Sequence, residues 1–153
     1  MSILAFNPII TAALVSCVAA QLIKALVYAV RNRKFKINRL FGAGGNPSSH
    51  SAVTAAAAVM SLRICGAGSS EFAFAVLIAA IVMYDTSGIR YNAGLHAKRI
   101  NRLREFIGSL TERLSANKNA PGEKKLNEML GSRPVGVFAG MALGAAIALI
   151  LPI

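Results

Sequence analysis

Four apolar runs alternate with connections that hold nearly all of the charge in the chain. The first, from about Pro8 to Val30, is long enough to cross a hydrocarbon core of roughly 30 Å at 1.5 Å per helical residue. The second begins near Ser48, directly after Pro47, and continues through Ala55 to Ala58 as far as about Cys65. The third starts near Glu71 and carries the stretch Phe72 to Tyr84, and the fourth runs from about Pro134 to Leu151. These last three are at the short end for a bilayer span, which predicts tilt, local thinning or burial against partners. Between the third and fourth runs the pattern changes. From Ile89 to Leu114 the apolar positions Ile100, Leu103, Ile107, Leu110 and Leu114 recur at helical spacing, with Lys98, Arg99, Arg102, Arg104 and Arg113 mostly off that stripe. This predicts an amphipathic helix at a membrane surface or beneath the bundle. Ala116 to Gly122 should break it, and Glu123 to Leu130 has the composition of one more short helix.

Composition narrows the class. With 55% hydrophobic and only 15% charged residues, the chain cannot clothe a water-facing surface, and its hydrophobicity excludes disorder. The expectation is an all-α integral membrane bundle of about four transmembrane helices plus a cytoplasmic amphipathic helix, forming a single domain over residues 1–153. The net charge of +11 is unevenly placed: every Lys and Arg except Lys24 and Arg63 lies in the first or third connection, whereas Gly66 to Ser70 carries none. The positive-inside rule therefore puts those two connections in the cytoplasm, with the protein in the plasma (inner) membrane and both termini outside. Arg63 is expected to snorkel to the outer interface. Met1 to Asn7 is uncharged, which favours a retained first helix over a cleaved signal. Cys17 and Cys65 lack metal or redox spacing, and the basic connections lack interleaved aromatics, so membrane lipids rather than nucleic acid are the expected partners. Gly140 and Gly144 give the last run a GxxxG spacing among alanines, from which a homo-oligomer, most simply a dimer, is expected, with packing inside one monomer as the alternative.

Candidate chemistry sits in two strings. Gly44-Gly45-Asn46-Pro47-Ser48-Ser49-His50-Ser51 opens the second helix, where unpaired first-turn amides and serine hydroxyls suit an anion and His50 suits proton transfer. An ordinary serine N-cap followed by a helix-surface histidine fits the same string. The second string, Tyr84-Asp85-Thr86-Ser87-Gly88-Ile89-Arg90 through His96, returns to the same end two helices later. It brings a guanidinium, whose planar fork matches phosphate oxygens, together with the second of the two histidines.

These residues resemble the type 2 phosphatidic acid phosphatase superfamily, which includes lipid phosphatases and vanadium haloperoxidases, and most closely its small divergent branch. Its motifs are KxxxxxxRP, PSGH and SRxxxxxHxxxD. Here Lys24 precedes Arg31 by the required six intervening residues, Pro47-Ser48-Ser49-His50 matches the second motif with Ser for Gly, and Arg90 precedes His96 by five. Asn32, Ile89 and Ile100 stand at motif positions for Pro, Ser and Asp, and Gly131-Ser132-Arg133-Pro134 stands where the divergent branch commonly has a GHTP-like string. The resemblance implies that His96 attacks phosphorus, that His50 protonates the leaving oxygen, and that Lys24, Arg31, Ser48, Ser49 and Arg90 hold the phosphoryl oxygens. Asp85 or Asn101 would orient His96. No metal or cofactor is implied, and vanadate or phosphate would occupy the site as an anion. The implied substrate is a lipid phosphate such as phosphatidylglycerol phosphate, phosphatidate or a polyprenyl phosphate. A noncatalytic lipid-phosphate binding or scaffold protein is the alternative.

Overall fold

Asn7 starts the first helix by accepting the Ile9 amide on its side-chain oxygen at 2.9 Å. Pro8 then fills the first helical position, where a missing amide costs nothing. The computed structural model describes residues 7–32, 45–114, 125–128 and 130–153, with no strand among them. Its helices are α1 (Pro8–Asn32), α2 (Ser49–Cys65), α3 (Ser70–Ser87), α4 (Ile89–Leu114) and α5 (Pro134–Ile150). Ser48 and Ser69 cap α2 and α3, each accepting a first-turn amide on its hydroxyl, and Pro134 opens α5. Only Gly88 separates α3 from α4, so the amphipathic helix leaves directly from the end of an apolar one.

The helices are assembled inside out. On α1 the positions Ala12, Ser16, Ala20 and Lys24, four residues apart, are all buried, while Leu14, Val18, Leu22, Leu26 and Val30 face outward. Phe74, Leu77, Ile78 and Ile81 of α3 and Val135, Phe138 and Leu149 of α5 are likewise exposed. Small residues inside and large apolar ones outside is the arrangement expected where lipid is the solvent and close backbone packing, rather than burial of bulk, joins the helices. Two stretches are long and apolar enough to cross a membrane, Pro8–Val30 and Ser70–Leu110, the latter running from α3 into α4. The other two expected spans, α2 and α5, have 17 residues each, about 25 Å of helix against a core of roughly 30 Å.

α2 packs against α1, α3 and α5, and burial of Ala52, Ala55, Ala56 and Ala58 lets those neighbours approach its backbone. Against it lie the glycines of α5. A Cβ on Gly140 would overlap the Ser48 carbonyl, and one on Gly144 would overlap the Ala52 carbonyl. Of the two expected roles for the GxxxG pair, the fold takes packing inside the monomer, where α5 crosses the start of α2. Arg63 has definite partners at the end away from the basic connections: its Nη1 donates to the carbonyls of Ala148 and Leu151, so it closes the C-terminal end of α5. The expected short helix over 123–130 does not form at residues 125–128. Asn101 explains why: its side chain accepts the Leu126 amide and donates to the Leu126 carbonyl, both at 3.0 Å, taking the backbone groups a helix would need.

Candidate functional site

At one end of the bundle the start of α2 meets the end of α3, the start of α4, the interior of α1 and the strand of chain before α5. Ser48 is buried, and its hydroxyl accepts the Ser51 amide at 3.3 Å and the Ser51 hydroxyl at 3.0 Å. Its own amide donates to the Gly136 carbonyl at 2.9 Å, which ties the turn to α5. Ser48 is therefore an N-cap fixed from both sides. The Ser51 amide is satisfied by that cap and the Ala52 amide by the Ser48 carbonyl, leaving the Ser49 and His50 amides as the first-turn donors with no partner among the described residues. Ser49 itself is buried.

His50 follows, half-buried, with its Nδ1 enclosed and making no hydrogen bond. The charges that act on it are Arg90, Lys24 and Asp85. Lys24 comes from the buried face of α1, only 5% exposed, and its aliphatic stem lies along Gly45, where an added Cβ would sit 3.2 Å from Lys24 Cδ. Arg90, in the first turn of α4, pairs through Nε with Asp85 Oδ2 at 2.6 Å. The guanidinium carries four further N–H donors on its two outer nitrogens. Helix-terminal amides, one imidazole, two cations and the Asp85 carboxylate thus lie at one end of the bundle, a combination that can receive an oxyanion.

Residues that the motifs did not point to hold this end together. The Ser132 hydroxyl donates to the Gly45 carbonyl at 2.8 Å and the Ser132 amide to the Thr86 carbonyl at 3.1 Å, linking the turn before α2 to the end of α3. Gly131, at φ 69°, lies so close to the backbone of Arg90 and Tyr91 that no side chain fits there. Thr86 is buried with its Oγ1 unpartnered. The only sequence signal for this strut was the position of Gly131-Ser132-Arg133-Pro134 before the last helix.

Of the other expected members, Asp85 is at the end of α3, and His96 and Asn101 are on α4. His96 is exposed on α4 and makes no hydrogen bond among the described residues. Six residues of α-helix turn the chain by about 600°, which leaves His96 roughly 120° around the helix from Arg90. Neither suggested orienting group is bonded to it. Asp85 holds Arg90, and Asn101 holds Leu126 and donates to Glu128 Oε1 at 2.8 Å. Arg31 lies in the last turn of α1 with its side chain outside the described residues. Cys17 and Cys65 are both free thiols.

No solved structure matches the chain. It is 35% identical over 154 aligned positions to the uncharacterised membrane protein YuiD of Bacillus subtilis strain 168, covering 99% of this chain and 97% of that one. The model of the divergent PAP2 family matches residues 5–147, which include every part of the cluster around His50. With that match running from the start of α1 almost to the end of α5, this membrane protein belongs to the divergent PAP2 family.

Proposed function

We propose that the protein is a phosphatase that binds the phosphate monoester or pyrophosphate of a membrane lipid at the N-terminal turn of α2 and hydrolyses it. The observation that carries this reading is the capped first turn of α2, where Lys24 packs along Gly45, Arg90 pairs with Asp85 at the same end, and two helix-terminal amides have no partner among the described residues. Phosphoryl transfer demands positioning and positive charge around the equatorial oxygens more than covalent chemistry from the protein. Lys24, the outer nitrogens of Arg90 and the amides of Ser49 and His50 supply it. Ser48 acts by fixing the turn, with its hydroxyl already engaged in the cap. His50 is the proton-transfer group, placed beside the leaving oxygen. The nucleophile implied by family resemblance is His96, which would form a phosphohistidine that water then opens. The basic connections argue for the cytoplasmic leaflet of the plasma membrane as the place of reaction.

A noncatalytic lipid-phosphate binding protein is the second reading, and one observation favours it: the exposed His96 has no acceptor on its ring among the described residues. Phosphate release from phosphatidate, phosphatidylglycerol phosphate and polyprenyl phosphate by purified protein, with and without vanadate, separates the two. The parent should release phosphate and be inhibited by vanadate, and His50→Ala should lose on the order of 10² to 10⁴ in rate. His96→Ala should abolish turnover if His96 is the nucleophile. Unchanged turnover in that variant moves the attack to water or to His50. A parent that binds vanadate yet releases nothing from any of the lipids is a binding protein.

A further inference from the structure

We infer that the second half of α4 docks lengthwise on an anionic phospholipid surface. The two halves of this helix are treated differently by the rest of the molecule. In the first, Gly94 lies against the carbonyls of Leu130 and Glu128, and Ala97 and Asn101 are buried beneath the same segment. Past Asn101 the burial ends, leaving Leu103 58%, Phe106 60% and Leu110 40% exposed. With Ile100 these side chains occupy a sector of about 120° at 100° per residue, an apolar stripe with Arg99 at its N-terminal end that no described segment covers.

Two features of the fold choose the occupant. α4 begins one residue after α3 ends, so it leaves the bundle at the level where an apolar helix meets lipid headgroups. Residues 98–114 also contain five Lys or Arg against Glu105 and Glu112, and Glu105 is already paired with Lys125 at 2.6 Å. A second copy of the chain laid on this stripe would bring like charges together, whereas phosphate headgroups neutralise them while the stripe enters the acyl boundary. This inference is independent of the phosphatase reading, since no residue in it belongs to the cluster around His50.

The chain contains no tryptophan, so Phe106→Trp provides a single reporter at the centre of the stripe, and Leu103→Trp a second should the first fail to fold. The full-length variant is reconstituted in phosphatidylcholine vesicles with or without one third phosphatidylglycerol, using lipids with brominated acyl chains. With phosphatidylglycerol the emission should be blue-shifted and quenched by bromine. Molar salt, or replacement of Lys98, Arg99 and Arg102 by Gln, should weaken the quenching, with up to about a fivefold loss in docked population per charge removed. Water-like, unquenched emission in the anionic vesicles overturns the proposal. Equal quenching in pure phosphatidylcholine overturns its anionic selectivity, and a blue shift without quenching, together with a doubled mass, assigns the stripe to a second copy.

Discussion

Arg90 is paired through Nε with Asp85, and its charge lies close enough to His50 to be felt by the imidazole. The pairing draws the guanidinium toward the end of α3 through Nε. Arg90→Lys keeps the charge but loses the fork. Loss of one charge-assisted hydrogen bond of about 1.5 to 3 kcal/mol predicts a drop of roughly 10- to 100-fold in vanadate affinity, read by titration of the purified protein. Affinity equal to the parent's would mean that Arg90 serves only Asp85. At this scale the sequence was legible where the signal is local. Pro47 to His50 reads as a helix entry because capping, proline and first-turn amides all act within four residues. Ser132 was not legible, because its value comes from Gly45 and Thr86, which are distant in sequence. The separation of His96 from Arg90 needs the helix to be continuous from Ile89, and then follows from the six-residue spacing alone.

Element boundaries followed closely from hydropathy and punctuation, but which face each helix turns inward did not. GxxxG marks a surface where another backbone comes close, and nothing in the last apolar run says whether that backbone belongs to the same chain. In the fold it is the first turns of α2. Gly140→Leu therefore forces a side chain into the Ser48 carbonyl, a backbone group held by the Ala52 amide at 3.1 Å and unable to move aside without breaking the cap. Overpacking of a fixed backbone costs about 1 to 3 kcal/mol or more, so the variant should unfold several degrees below the parent in detergent, with vanadate binding lost in parallel. Parent-like melting accompanied by a change in oligomer mass would return the glycines to an interface between copies. The missing helix at 125–128 has the same kind of cause, since a buried side chain on α4 claimed the backbone groups that local propensity would have paired.

At the scale of the whole molecule, charge and chemistry share an end. Lys24, Arg90, the α2 cap and Ser132 gather where the first and third connections meet the bundle, while the uncharged turn between α2 and α3 lies at the far end, near where Arg63 closes α5. Sidedness is then a single question, and the positive-inside rule answers it from sequence because lysine and arginine resist translocation whatever the fold. The prediction is that the His50 end faces the cytoplasm. In a background with Cys17 and Cys65 replaced by Ala, Ser69→Cys should react with a membrane-impermeant maleimide added outside intact cells, whereas Asn38→Cys should react only after the membrane is opened. The reverse pattern would place the His50 end outside, and the proposed site would then require an extracytoplasmic lipid. Labelling of both positions in intact cells would show that the two connections do not lie on opposite sides, and the bundle would then sit on the membrane instead of across it.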